Sequence, residues 1–295
     1  MNAPHDRLLF GDHSGRLCRP ETPCPGPVPL LVALHGGTYT SAYFDMPGCS
    51  LLARAAANGV PAIAPDRPGY GRTPALPAGR ATIADQARRL QHTLKQAWQQ
   101  HGAGTRGIVL VAHSIGAAIA ATLAANVARE GDDDLPLIGL ALSGVGLRTP
   151  PAFKPLWDSL PDTPTVEMPP GVKDTVMFGP AGSFDPAMPA TTAAAGAPAP
   201  KAELVDIVST WHETVHATLA GIRVPVHYRQ AEIDRLWIVD AGEVDGFARA
   251  LSGSPRVDAA LLRGTGHCID FHHVGPAFQL QQLGFALQCA AETAG

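Results

Sequence analysis

Long hydrophobic runs are missing from this chain. No stretch reaches the ~18 consecutive apolar residues that a membrane-spanning helix needs, so a membrane protein is not expected. Charge is sparse and nearly balanced, with 22 basic against 26 acidic side chains and a formal net charge of −4. Without a basic footprint, neither a nucleic acid nor an anionic membrane is expected as a partner. Cysteine is scarce, five in an odd set without paired spacing, so no disulfide framework is implied. The stretch Met1 to Phe10 carries His5, Asp6 and Arg7 and no apolar core, so it does not read as a secretory signal. These absences leave a soluble, cytoplasmic protein as the expectation. Glycine (31) and proline (28) are abundant, about a fifth of the chain together. That much punctuation excludes a coiled coil or a plain helical bundle. With 45% hydrophobic residues the chain is also too apolar to be disordered.

Short apolar runs alternate with longer helical patterns, which predicts an α/β fold with a mostly parallel sheet. Strands are expected at Leu30–Leu34, Pro61–Ala64, Ile108–Ala112, Leu137–Leu142, Val224–Arg229 and Val257–Leu262. A weak antiparallel pair is expected around Arg7–Phe10 and Arg16–Cys18. Helices are expected at Cys49–Asn58, Thr82–His101, Gly116–Arg129, Ala202–Ala220, Val239–Ser252 and Phe271–Ala291. The segment from Arg148 to about Ala202 breaks the alternation. It is rich in Pro, Ala and Gly and carries isolated large residues, among them Phe153, Trp157, Met168, Met177 and Phe178. A loop this long inside a compact domain reads as a cover over a site. The chain therefore divides into residues 1–147 and 217–295 as core and 148–216 as lid.

Chemistry concentrates at the strand ends. Ile108-Val-Leu-Val-Ala-His-Ser-Ile-Gly116 runs a buried strand into Ser114 and then a helix, the context of a nucleophile elbow. Residues two before and two after such a Ser must be small; Gly116 and Ala112 occupy those places. Leu34-His-Gly-Gly-Thr38 follows another strand and could supply an oxyanion-hole N–H. Asp66-Arg-Pro-Gly-Tyr-Gly-Arg-Thr73 follows the next, where Asp66 and Arg72 are expected to pin the loop. Asp234 lies beyond the strand Val224–Arg229, and His267 beyond the last strand in Gly264-Thr-Gly-His-Cys268. Ser114, Asp234 and His267 thus follow one another in the chain order nucleophile, acid, base that accompanies a nucleophile elbow of this kind. Glu232 and Asp240 are nearby alternatives for the acid.

With these motifs the sequence resembles the α/β-hydrolase fold superfamily, over nearly all of the chain outside the lid. The resemblance implies an eight-stranded, mostly parallel sheet flanked by helices, with a lid inserted after the sixth strand. It implies a catalytic triad of Ser114, Asp234 and His267, with Gly37 and Ile115 forming the oxyanion hole. Ala112 for Gly and Thr73 for Ser depart from the usual pattern without removing a reacting group. Some members carry the acid after the sixth strand; there this chain reads Leu142-Ser-Gly-Val-Gly146, without a carboxylate. Thr38, Tyr39, His113, Trp157 and Phe178 are candidates for contacts with substrate, and His35 for the pocket border. His113 packing or bonding to backbone is the plainer reading of that residue.

The implied activity is that of a serine hydrolase cleaving an ester, lactone or thioester with an apolar portion, through an acyl-enzyme. Ser114 argues against haloalkane dehalogenase or epoxide hydrolase chemistry, which needs Asp at the elbow. A carbon–carbon hydrolase, a haloperoxidase and a non-catalytic receptor on the same fold stay open. One rival motif is present. Trp211-His-Glu-Thr-Val-His216 matches H-E-x-x-H, in which His212 and His216 would bind zinc and Glu213 act as base. Its third ligand is lacking on the same helix, since a strand separates it from Glu232 and Glu243, so no metal is expected. No cofactor is expected either: H-G-G and P-G-Y-G-R are too short to cradle phosphates. The expected partner is a small-molecule substrate, with oligomeric state open.

Overall fold

The computed structural model describes residues 7–77 and 79–293. Along the chain come β1 (Arg7–Phe10), β2 (His13–Cys18), β3 (Leu30–Leu34), β4 (Ala62–Pro65), β5 (Ile108–His113) and β6 (Leu137–Ser143). A two-stranded ribbon follows, β7 (Thr165–Val166) and β8 (Ala199–Pro200). Then β9 (Val226–Ala231) and β10 (Val257–Leu262) complete the main sheet. Its eight strands lie in the order β1-β2-β4-β3-β5-β6-β9-β10. β2 pairs antiparallel with β1 and β4, and the remaining pairs are parallel. The expected mostly parallel eight-stranded sheet is what forms. Two strand starts move by one or two residues because Pro61 and Pro225 have no N–H for the ladder. Their carbonyls still serve, accepting from Leu31 N and Leu140 N at 3.0 Å.

Alternation along the strands fills two cores. Leu30, Val32 and Leu34 of β3 face one side, with Leu110 of β5. There they meet α2 (Ile83–His101) and α3 (Ile115–Glu130). Leu31, Ala33, Val109 and Val111 face the other side, toward the helix Leu51–Ala57 (α1) and the C-terminal helix Gly275–Glu292. Side-chain caps fix helix starts: Ser50 Oγ accepts from Ala53 N and Thr82 Oγ1 from Asp85 N.

Between β6 and β9 the supposed loop carries short helices: α4 (Phe153–Asp158), α5 (Pro170–Met177) and α6 (Met188–Thr192). The single helix expected at Ala202–Ala220 is two, α7 (Lys201–Ser209) and α8 (Trp211–Ala220), broken at Thr210. Trp211, Val215 and Leu219 of α8 join the core over α3, together with Val244 and Phe247 of α9 (Ala241–Ala250). The C-terminal helix, α10, begins at Gly275, after a short 3-10 turn at Ile269–Phe271. Among the described residues no helix is long and apolar enough to cross a membrane.

Candidate active site

Parallel strands end together, so the loops after β3, β5, β9 and β10 meet at one edge of the sheet. At the end of β5, Ser114 has φ +57° and ψ −128°, a conformation that costs a non-glycine residue about 1–3 kcal/mol. It is held there by its N–H donating to Ser143 O of β6 at 2.8 Å. Its own carbonyl accepts from Ala117 N and Ala118 N at 2.8 and 3.2 Å, at the start of α3. The demand for small neighbours has a concrete cause. A Cβ on Gly116 would lie 2.4 and 2.5 Å from the carbonyl oxygens of His35 and Leu34. One on Gly36 would lie 2.8 Å from Ser114 Cβ. Ala112 is fully buried in the core, and its methyl is accommodated.

The loops after β9 and β10 bring the other two groups. His267 Nε2 is 2.9 Å from Ser114 Oγ, and its Nδ1 is 2.7 Å from Asp234 Oδ2. An ionised carboxylate only accepts, so the proton is assigned to Nδ1, leaving the Nε2 lone pair toward the Ser114 hydroxyl. Asp234 also accepts from Gln230 Nε2 and from Leu236 N, both at 2.9 Å, and its side chain has no exposure to solvent. The alternatives are engaged elsewhere: Glu232 accepts from Gly264 N at 2.8 Å, and Asp240 caps α9 through Glu243 N at 2.8 Å. After β6, Gly144 has φ +62°, and a Cβ there would meet His113 Cε1 at 2.6 Å and His267 Cε1 at 3.1 Å. No side chain fits at that point.

A cavity of about 50 Å³ opens beside Ser114. Gly37, Thr38 and Ile115 line it from the core, and Phe153, Trp157, Met168 and Met177 from the insertion. The backbone N–H of Ile115 lies in the first turn of α3, where a helix offers no acceptor of its own. Two buried polar atoms on lining residues, Thr38 Oγ1 and Trp157 Nε1, have no hydrogen-bond partner in the protein. Of the residues singled out for substrate contact, Tyr39, His113 and Phe178 do not line the cavity. Tyr39 packs edge-on against Tyr43 and under the Lys173 ammonium, 3.6 Å from the ring centroid. Phe178 packs on Phe184, and the residue before it, Met177, takes the cavity position. His113 is stacked on Tyr43 with its Nδ1 3.2 Å from Ser143 Oγ. Burial, and then the adjacent His267, hold its pKa well below the usual histidine value. His35 is buried and does not line the cavity; its Nε2 accepts from Arg67 N at 3.0 Å. Sequence reasoning missed the other wall, formed by Leu204, Ile207 and Val208 of α7 with Leu236 and Trp237. Trp237 carried a signal, three residues past the acid.

His212, Glu213 and His216 sit on the solvent side of α8. Among the described residues no group of three or more His, Cys, Asp or Glu could hold a metal ion. Cys268 is fully buried, and burial pushes its thiol well above the usual range, away from the reactive thiolate.

The family model described as Alpha/beta hydrolase family matches residues 31–277. No curated protein matches the chain in sequence. Among solved structures, an esterase from Thermogutta terrifontis, with malate bound, is 17% identical with a TM-score of 0.67; 98% of this chain and 100% of that one are covered. A monoacylglycerol lipase from Paleococcus ferrophilus is 15% identical at TM-score 0.67, covering 95% of this chain and 100% of its own. A thioesterase domain from the curacin biosynthetic pathway is 16% identical at TM-score 0.63, covering 96% and 100%. At these identities the likeness is one of fold.

Proposed function

The chain belongs to the alpha/beta hydrolase family, and from that premise we propose that it is a serine hydrolase of small carboxylic esters, lactones or thioesters. One observation carries the reading: a strained Ser114 hydrogen-bonded to His267, itself bonded to Asp234, at the mouth of an apolar cavity. Ser114 Oγ attacks the acyl carbon while His267 Nε2 takes its proton, and Asp234 stabilises the imidazolium. The developing oxyanion is received by the N–H groups of Ile115 and Gly37, each such donor being worth about 2.7–4 kcal/mol in the transition state. His267 then returns the proton to the leaving alcohol or thiol, and water releases the acid by the same steps in reverse.

The cavity sets the size of the acyl group. A void of about 50 Å³ is small for a ligand pocket, so the acyl group it favours is a short one. Its walls are mostly apolar, with Ser114, Thr38, Thr149 and Trp157 as the polar residues among them; Thr38 Oγ1 and Trp157 Nε1 are the two buried atoms there without a partner in the protein. A buried donor without a partner is costly, so the preferred acyl group carries an acceptor oxygen for them to meet. In this reading the insertion acts as a lid, with Phe153 and Trp157 of α4 closing over the substrate. The test is labelling of Ser114 by a fluorophosphonate, followed by turnover of p-nitrophenyl esters from acetate to octanoate. Labelling with a rate maximum at short chains is expected. Absence of both labelling and turnover would turn the assignment to a ligand receptor on the same fold.

A further inference from the structure

The mechanism leaves one ionised cluster unused. Glu203, in the first turn of α7, is completely buried, as are Arg67, Tyr70 and Gln86. Its carboxylate accepts from Arg67 Nη1 and Nη2 at 2.7 and 3.1 Å, from the Tyr70 hydroxyl at 2.5 Å and from Gln86 Nε2 at 2.6 Å. Burial works against ionising Glu203, but the Arg67 charge and these donors hold it below the usual carboxylate range. Burial likewise keeps Tyr70 protonated, so its hydroxyl remains a donor.

Arg67 and Tyr70 carry the contact onward to the loop after β3. Arg67 Nε donates to His35 O at 2.8 Å and Nη2 to Gly36 O at 3.0 Å. The Tyr70 hydroxyl oxygen accepts from Thr38 N at 3.3 Å. A Cβ on Gly37 itself would come 3.5 Å from Glu203 Oε1, so the carboxylate lies against the loop. Residues on both sides of Gly37 are thus bonded, through two side chains, to one carboxylate delivered by the insertion. Stability is a poor reason for such a pair. Desolvating two charges offsets most of their attraction, and apolar side chains of similar volume often replace them without loss. Fixed geometry is what the pair supplies.

We propose that Glu203 is a positioning residue: through Arg67 and Tyr70 it holds loop 35–38 so that the Gly37 N–H meets the oxyanion formed at Ser114. The role rests on the serine-hydrolase reading. It makes α7 part of the frame of the active site, and it confines any lid movement to the segment before it.

The experiment compares the full chain with Glu203→Gln. Active sites are counted by fluorophosphonate titration, kcat and KM are measured on p-nitrophenyl butyrate, and amide hydrogen exchange is followed across residues 34–40. We expect kcat per titrated site to fall by about 10–100-fold, with KM within about threefold of the parent. Exchange at 35–38 is expected to quicken by about tenfold while β5 stays protected. A role confined to stability would lower the number of titrated sites and leave kcat per site unchanged. If Glu203→Gln does not fold, the double variant Arg67→Met with Glu203→Leu, which restores a neutral interior, takes its place with the same expected loss of kcat. A folded variant with parental kcat per site, or with unchanged exchange in the loop, overturns the proposal alone. A parent that is neither labelled nor active overturns the serine-hydrolase reading, and the positioning role with it.

Discussion

Replacing Asp234 by Asn keeps the size of the side chain and changes which atoms can accept. The carboxylate takes three hydrogen bonds: Oδ2 from His267 Nδ1 and Gln230 Nε2, and Oδ1 from Leu236 N. An amide has one oxygen to share between those two places. With its oxygen toward His267, its NH₂ would confront the Leu236 N–H, donor against donor, in a buried site. With its oxygen toward Leu236, the NH₂ faces His267 Nδ1 and the Gln230 side chain, whose amide can flip to accept. The second arrangement satisfies every group, and it forces the proton of His267 onto Nε2. That nitrogen then donates to Ser114 Oγ and cannot take its proton. The expected loss in kcat is about 10³–10⁴-fold, roughly 4–5.5 kcal/mol of barrier. The assay is initial-rate hydrolysis of p-nitrophenyl butyrate, normalised to active sites, at a pH where the parent is fully active. Glu232→Gln is the control. Among the described residues its carboxylate meets only Gly264 N, at the surface, so kcat should stay within about twofold of the parent. Asp234→Asn within tenfold of the parent, or Glu232→Gln as the more damaging change, would refute the reasoning.

Ser114→Ala should lower ester turnover by about 10⁴–10⁶-fold while circular dichroism shows an unchanged fold. His212→Ala with His216→Ala, and separately EDTA, should leave kcat within about twofold, since both side chains are exposed on α8; a joint loss of zinc and activity would contradict this. Exchanging butyrate for methoxyacetate in the ester should favour the parent more than Trp157→Phe, by about fivefold in the ratio of kcat/KM values, because only the parent offers an N–H to the ether oxygen. Acid stability should reveal His227, which is buried with neither ring nitrogen hydrogen-bonded and whose pKa is lowered to about 4, first by burial and then by Arg229, against a smaller opposing pull from Asp258, 4.0 Å from Nε2. Between pH 6.5 and 4 the unfolded chain binds a proton that the folded chain refuses, so stability falls as pH falls, by about 3 kcal/mol from this residue. Urea melts at pH 7 and 4.5 should show that difference shrinking in His227→Phe.

What was legible in the sequence follows from range. Strands β3, β5 and β6 are near-continuous Leu, Val, Ile and Ala because both faces are covered, and that composition is local information. Ser114 stands just past such a strand; Asp234 and His267 follow the more polar β9 and β10, and were marked by their place in loops beyond those strands and by the glycines around His267. The inner structure of the insertion was not legible. Helices α4, α5 and α6 have eight residues or fewer and contain Pro155, Pro170 and Pro189, so no periodic pattern marks them. Leu204, Ile207 and Val208 do show helical spacing, but an apolar stripe reads the same whether it faces a core or a cavity. Glu203 was hidden most deeply, since a carboxylate at the start of a helix ordinarily reads as a solvated dipole partner.

The insertion also touches the second strained residue of the site. Among the described residues, Thr38 and Ser114 alone adopt positive φ without being glycine, at +63° and +57°, and both line the cavity. Such conformations persist only where their surroundings over-determine them. For Ser114 the restraint comes from within the sheet, through Ser143. For Thr38 it comes largely from the insertion: Lys173 Nζ and Ala197 N both donate to its carbonyl, at 2.8 and 3.0 Å. Glu203 acts on the same loop through Tyr70, whose hydroxyl receives the Thr38 N–H. A core without residues 148–209 would therefore keep the elbow and lose the restraints on the loop that faces it. Besides lining the cavity, the insertion thus shapes one of the two backbone segments that flank it.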